Sequence, residues 1–452
     1  MANETLAKLI QNNSKLLNII RCYNSVDRNL LCELMQLSWP TLQKTVQLLK
    51  DAGILINKAS TSVDGIDKTS DPKKEKEEYI INPTSGYYVG ISIGGSQIKL
   101  CIIDMNYKIA SKENFYKIFI DKFGLFSDSD FIRSQKPEYG YLYVSTPTDF
   151  FILQERLNYI LDQMIKLDLE LGKRGQTMLG IGFAFTGAVN NKKKEIIKSF
   201  SLDCFNNLPI KYDSLIYPEK LAYFLSKNIN ITFDNIAKAA LVSEKFSLYD
   251  NLNPNSIYKN RKNIGCIYLG SGIGDAFILD NTLYRGTSNF SELGHIDVID
   301  PDELLNKINN KNIKNDYCTC GGHNCLEHKI RKNVFNMDIN EFKSYTAGDL
   351  KKNFYQLDNP DIRLEILAFY INQAIKIATN LLNLDLIILT GKLTQFKEDL
   401  EKYLYNEKSK NTIGYINSDC SLVTSTYGAL APSAGAAILS ALPENNESVI
   451  WY

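Results

Sequence analysis

Cys266-Ile-Tyr-Leu-Gly-Ser-Gly-Ile-Gly-Asp-Ala-Phe-Ile-Leu279 reads as two apolar strands joined by a turn of glycines around one serine. Runs this apolar suit strands covered on both faces. A turn made of Gly270, Ser271 and Gly272 lets a backbone come close to a phosphate. The same design occurs earlier: Tyr88-Val-Gly-Ile-Ser-Ile-Gly-Gly-Ser96 turns at Gly94-Gly95, and Gln97-Ile-Lys-Leu-Cys-Ile-Ile-Asp104 resumes as a second strand. Leu179-Gly-Ile-Gly-Phe-Ala-Phe-Thr-Gly-Ala-Val189 is a further buried strand ending in a loop. One such hairpin is a weak signal, because any hairpin favours glycine. Two of them, in separate halves of the chain, point to an α/β fold of two lobes of the nucleotide-binding kind.

The chain around these hairpins has 452 residues, too many for one core and enough for two or three domains. Its 44% hydrophobic and 23% charged residues are those of a globular protein. Lys+Arg and Asp+Glu both number 51, so no global positive field exists and any nucleic-acid surface must be local. No apolar run reaches the ~18–20 residues a membrane helix needs. The stretch Ile375–Leu389 comes nearest and is broken by Lys376, Asn380, Asn383 and Asp385. The first ten residues lack the basic-then-apolar order of a signal peptide. The nine cysteines form no regular framework, which suits reduced thiols in the cytoplasm and excludes a secreted disulfide scaffold.

Residues 4–55 carry three helical patterns. The first has Leu6, Leu9, Ile10, Leu16, Leu17, Ile19 and Ile20 on one wide face, and a short second runs from Asp27 to Met35. A third runs from Trp39 to Ala52, with Ser38 as N-cap, Pro40 in the first turn and Gly53 past its end. Leu42, Val46 and Leu49 form the buried stripe of this helix, leaving Pro40, Thr41, Gln43, Lys44, Gln47 and Lys50 outside. Helix, short turn, helix is the layout that sets a reading helix in the major groove of DNA. Lys44 and Lys50 suit phosphates, while Thr41, Gln43 and Gln47 suit base edges. Gly53-Ile-Leu-Ile56 and Glu78-Tyr-Ile-Ile-Asn82 read as two wing strands around a polar loop, with Lys73, Lys74 and Lys76 near its tip. Over residues 1–60, seven Lys/Arg against four Asp/Glu leave a net charge of +3 on the head.

Cys318-Thr-Cys320-Gly-Gly-His-Asn-Cys325 places three thiols within eight residues. Thiolates at this spacing with one histidine make a tetrahedral zinc site. All three histidines of the chain (295, 323 and 328) lie in or beside this region, so spacing alone leaves the fourth ligand open.

In order along the chain stand the first glycine hairpin, FTGAVN (185–190), LGSGIGDAFILDNTLYRG (269–286), SELGHI (291–296), CTCGGHNCLE (318–327) and GAAILSAL (435–442). From about residue 84 to 445 this resembles the ROK family, which holds bacterial sugar kinases and sugar-responsive repressors. SELGHI with the cysteine cluster is its most specific element. The resemblance implies an actin-like two-lobed sugar-kinase fold behind an N-terminal winged helix-turn-helix. Its expected domains are 1–83 (DNA-binding), 84–230 (first lobe, with an insertion near 121–150) and 231–452 (second lobe), the C-terminal helix returning to the first lobe. It also implies a homodimer, and a structural zinc on His295, Cys318, Cys320 and Cys325, with His323 or His328 competing as fourth ligand.

For a sugar, the resemblance implies contacts from Asn235, Glu292, His295 and Glu327, although the two glutamates could instead only support the zinc loop. The same comparison removes kinase chemistry. Ser92 stands where such kinases carry a hairpin aspartate, and Ile236 where they carry the proton-accepting one. Losing a general base alone costs about 10²–10⁴ in rate. Leu389-Thr-Gly-Lys392 replaces a more glycine-rich nucleotide segment, so ATP is not expected as a ligand. Read as part of a helix, Asp234 would point about 200° away from Ile236 and could not replace the base. Ile236 would also leave the usual hydroxyl of a hexose unpaired, which favours a pentose or deoxy sugar. The expectation is a non-enzymatic, sugar-responsive repressor that binds operator DNA. The competing readings are an ATP-dependent sugar kinase and a sugar-binding protein with a vestigial head.

Overall fold

The computed structural model describes residues 2–58, 77–110, 132–133, 141–199, 201–205, 209–250, 261–286, 291–311, 313, 317–404 and 420–442. The head contains α1 (Ala2–Asn12), α2 (Ser14–Tyr23), β1 (Val26–Asp27), α3 (Arg28–Met35), α4 (Trp39–Asp51), β2 (Leu55–Asn57) and β3 (Glu78–Ile81). The single first helix expected from periodicity is two. Asn13 N turns to Ile10 O at 3.2 Å while Asn13 Nδ2 takes Leu9 O at 2.8 Å, which closes α1 and restarts the chain. Asp27 caps α3 through Leu30 N (2.8 Å), and Gln36 ends it in the left-handed region at φ 56°. Ser38 stands at the N-cap of α4, but its hydroxyl pairs with Thr41 Oγ1 (3.0 Å) and not with a backbone amide. Leu42, Val46 and Leu49 bury the inner face of α4 as expected. The wing strands pair antiparallel in the order β1-β3-β2. The loop bearing Lys73, Lys74 and Lys76 lies outside the described residues.

The first lobe holds β4 (Tyr87–Ile93), β5 (Gln97–Asp104), β6 (Ile132–Arg133), β7 (Tyr141–Ser145), α5 (Phe150–Gly172), β8 (Met178–Phe185), a side sheet of β9 (Ala188–Asn190), β10 (Glu195–Lys198) and β11 (Ile210–Lys211), then α6 (Pro218–Ser226) and β12 (Asn230–Asn235). The main sheet runs β12-β8-β4-β5-β7-β6, parallel across β12, β8 and β4 and antiparallel beyond. Leu153, Leu157, Leu161 and Met164 of α5 bury one face of it against Tyr87, Ile91 and Phe183. β12 pairs in parallel with β8, so the sheet of the first lobe continues to Asn235. Most of the 121–150 insertion lies outside the described residues.

After β12 comes α7 (Ile236–Asp250), and then the second lobe: β13 (Ile264–Leu269), β14 (Ile273–Leu279), β15 (Thr282–Tyr284), β16 (Leu386–Thr390) and β17 (Ser421–Thr424). Its sheet runs β15-β14-β13-β16-β17 and packs on the long helix Pro360–Leu382. The two lobes exchange helices. The first lobe's last strand feeds α7, which packs on β13 and β14 of the second. The second lobe's last strand leads to the C-terminal helix Ala431–Ala441, which lies on β4, β5 and β8 of the first. That helix approaches within backbone contact on both sides: a Cβ on Gly182 would sit 1.8 Å from Ala436 O, and one on Gly435 1.6 Å from Ala239 O. Only glycine fits there.

The head is packed on this helix pair. Arg21 on α2 is buried, donates to Met105 O (2.7 Å) and Asn18 Oδ1 (2.7 Å), and lies 3.9 Å from the centre of the Tyr107 ring. Tyr107 in turn meets Phe246 of α7 edge-on at 4.9 Å. One apolar cluster therefore runs from Leu17 and Ile20 in the head through α7 to the C-terminal helix. No described helix is long and apolar enough to cross a membrane.

Candidate functional site

A cleft of about 700 Å³ opens between the two glycine turns, within the size range of small-molecule sites. Asn235, Glu292, His295 and Glu327 all line it. Glu292 projects there without a protein hydrogen-bond donor among the described residues, and lies 3.7 Å from His295 Nε2. Burial, with Asp275 and Glu327 nearby, pushes its carboxyl up to about 7. Glu327 is buried and accepts from Ile273 N (2.8 Å), fastening the cysteine segment to the second hairpin; burial raises its pKa as well. Asn235 plays a part that the sequence did not reveal. Its Oδ1 accepts from Ala237 N (2.8 Å) and Lys238 N (3.2 Å), capping α7, while Nδ2 donates to Gly187 O (2.7 Å). Its first duty is to the backbone, and one amide proton is left for a ligand.

His295, Cys318, Cys320 and Cys325 bring four ligand atoms within 4.8 Å of one another. Cys318 Sγ is 3.3 Å from His295 Nδ1, and Cys320 Sγ is 3.4 Å from Cys325 Sγ. A tetrahedral zinc with Zn–S near 2.3 Å needs sulfur–sulfur edges of roughly 3.8 Å, so the donor set fits a metal. Burial holds the Cys318 thiol up at about 11, a cost that a bound cation would reverse. His328, a competing fourth ligand, is buried against Arg331 (Nδ1 to guanidinium 2.8 Å) and stands outside the cluster, as does His323. His295 faces both ways: Nδ1 toward sulfur and Nε2 toward Glu292 and the cleft.

Ser92 and Ile236, where the resemblance leads to the expectation of a kinase's carboxylates, line the cleft beside the first hairpin. Asp234 does not replace them. It lies on β12 and not on a helix, so the expected helical angle does not apply, but its carboxylate is held in a buried ion pair with Arg285 at 2.6 Å. Two cleft residues escaped the sequence reading. Lys99 on β5 donates to Ala429 O (3.0 Å), and Lys392 donates to Phe342 O (3.0 Å) and Ser271 Oγ (3.3 Å). Burial lowers Lys99 to about 8; burial, with Lys99 nearby, lowers Lys392 to about 7. For Lys99 the available signal was a lysine within a largely apolar strand; Lys392, just past the end of β16, offered none.

On the head, Pro40, Thr41, Gln43, Lys44 and Gln47 are exposed along one side of α4. Lys50 is half-buried and paired with Glu77 (2.8 Å), and Gln47 Nε2 bonds Asp51 (2.7 Å). Lys44 is thus the cation of this helix surface with no acidic neighbour holding it in place among the described residues.

Two lobes joined by exchanged helices, with a cleft of small-molecule size and a His-Cys₃ cluster at its edge, define a protein of the actin-like two-lobed fold class. The chain belongs to the ROK family, whose model matches residues 143–442. It is 21% identical over 448 residues to the xylose repressor of Bacillus subtilis (strain 168), covering 96% of each chain. Among solved structures it is similar to a ROK family transcriptional regulator, a homolog of the E. coli MLC protein (TM-score 0.60, 15% identity, 96% of this chain and 97% of that one). It is also similar to a ROK family glucokinase from Streptomyces griseus (TM-score 0.51, 19% identity, 78% of this chain and 99% of that one).

Proposed function

We propose that the protein is a sugar-responsive transcriptional regulator that binds operator DNA in the cytoplasm and carries out no phosphoryl transfer. The observation that carries this reading is the physical path from cleft to head. Asn235 and Ile236 line the cleft at the first turn of α7, and Phe246 near its other end meets Tyr107, on which Arg21 of the head lies. Similarity to a repressor and a regulator along nearly the whole chain, head included, supports it. Ser92 and Ile236 count against the kinase reading, and an exposed reading-helix surface counts against a vestigial head. Zinc on His295, Cys318, Cys320 and Cys325 would be structural, because four protein ligands leave no open position. A homodimer would present two heads to two half-sites.

A sugar gripped by Glu292, His295 and Glu327 would rotate the lobes about the helix pair and shift α7 beneath Arg21. A coupling of about 1–3 kcal/mol is enough to switch operator occupancy. The test is gel-shift and anisotropy titration, at stated salt, of DNA from upstream of the gene. Lys44→Ala should weaken binding to all sequences alike and reduce the salt slope by about one; an unchanged slope would remove α4 from the DNA. Arg21→Met should leave ligand-free DNA affinity within about threefold while removing most of the effector response. A full response in that variant would place the coupling elsewhere.

A further inference from the structure

Three separate costs meet at the joint between head and body. The first is backbone strain. Tyr107 sits in the left-handed region at φ 63°, where glycine or asparagine is the usual occupant. The turn that holds it is firmly built: Asp104 Oδ1 accepts from Asn106 N (2.7 Å) and Lys108 N (3.0 Å), and Tyr107 N donates to Asp104 O (3.0 Å). That turn delivers the Tyr107 ring to the point where head and body touch. Arg21 of the head lies 3.9 Å from its centre, Tyr88 of β4 meets it edge-on at 6.1 Å, and Phe246 of α7 does so at 4.9 Å.

The other two costs are buried polar groups. Arg21 uses Nε on Met105 O and Nη1 on Asn18 Oδ1, but its Nη2 is buried with no hydrogen-bond partner among the described residues. The Tyr88 hydroxyl is likewise buried and unpaired among them. Burial pushes the pKa of that hydroxyl up, and the nearby charge of Arg21 opposes the shift. An unmet buried hydrogen bond costs about as much as burying one large aliphatic side chain gains. Against these costs stand the apolar contacts of Leu17 and Ile20 and the Arg21–Met105 bond. Opposed terms of similar size leave docking near balance. Lifting α2 would let water reach Arg21 Nη2 and the Tyr88 hydroxyl, and would free the Tyr107 backbone to relax.

We infer that the joint of Arg21, Tyr88 and Tyr107 is a two-state switch, in which the head docks at a cost and opens by lifting α2 from Tyr107. That a sugar in the cleft biases this switch through α7 rests on the function proposed above; the switch itself does not. Cys22, the next residue along α2, is 6% exposed and near both Tyr107 and Lys245 of α7, so its thiol reports on the joint. The test is the rate of iodoacetamide labelling of each cysteine in the native full chain, read by peptide mass spectrometry. It compares the parent with Tyr88→Phe, which keeps the ring and deletes the unpaired hydroxyl. In the parent, Cys22 should label at least about tenfold faster than Cys101 and Cys266, which are completely buried in the lobes. In the variant, Cys22 should slow about fivefold or more, with Cys101 and Cys266 unchanged and the melting temperature no lower. Cys22 labelling as slowly as Cys101 in the parent would show that the head does not open. Faster Cys22 labelling in the variant, or a lower melting temperature, would show that the hydroxyl is bonded in the docked state. Either result overturns the switch. Titrations of DNA from upstream of the gene, with aldopentoses and with glucose as probes, then separate the two readings. Slowed labelling together with a weakened sugar response would support both. Slowed labelling with the parent's full response would keep the switch and sink its coupling to the cleft.

Discussion

Gly435→Ala should leave the protein unable to reach its native structure at ordinary temperatures. The added methyl would sit 1.6 Å from Ala239 O and 2.3 Å from its carbonyl carbon, both on the backbone of α7, which has no rotamer to change. Retreat is blocked on the far side, where Ser433 O and Ala436 O press on Gly90 and Gly182 at 1.7 and 1.8 Å from where their side chains would begin. Overpacking usually costs about 1–3 kcal/mol because side chains give way. Here backbone meets backbone in two directions, and the loss should exceed about 4 kcal/mol, a large share of a typical domain's stability. Thermal melting and soluble yield would check it, with Gly172→Ala as control, since a methyl added there meets no atom within 4 Å beyond its own helix turn. A Gly435→Ala protein melting within a few degrees of the parent would show that the helix pair is looser than described.

The second large effect is expected at the cysteine cluster. Cys318→Ser should lose the bound metal and several kcal/mol of stability, because free energy of metal binding to a folded site is free energy of folding. Cys318 is 1% exposed and beside His295 Nδ1, so the serine cannot move out to water. The damage should extend to the cleft, since His295 Nε2 faces Glu292 and Glu327 follows Cys325 by two residues. Elemental analysis of protein purified without chelator should give one zinc per chain, and chelation should lower both the melting temperature and ligand affinity. Metal-free protein that melts like the untreated parent, with unaltered ligand binding, would contradict the assignment.

The features that local chemistry dictates were readable in the chain. Gly94-Gly95 and Gly270-Ser271-Gly272 gave the hairpins, because few residues turn a strand that tightly. Leu42, Val46 and Leu49 gave the inner face of α4 by their spacing. Cys318, Cys320 and Cys325 gave the cluster, whereas spacing left the histidine open and only the resemblance singled out His295, over twenty positions away, from His323 and His328. What stayed hidden depends on contacts between distant segments. Asn235 reads as a ligand until α7 starts beside it and needs a cap. Lys99 and Lys392 lie far apart in sequence, and only the meeting of two sheets makes them neighbours. Lys50 reads as free for DNA until the wing carries Glu77 to it. The break at Asn13 rests on local bonds from its backbone and side-chain amides to Ile10 O and Leu9 O, which apolar periodicity does not register.

The helix exchange bears on how the chain is made. The sheet face around Gly182 leaves the ribosome about 250 residues before the helix at Ala431 that covers it. At roughly 5–20 residues per second, that glycine-lined face stands bare for about 12–50 s in each round of synthesis. During this interval the nascent first lobe is an open apolar sheet awaiting its lid, and a chaperone or a neighbouring nascent chain can reach it before its own helix does. Slower translation through the second lobe lengthens this interval.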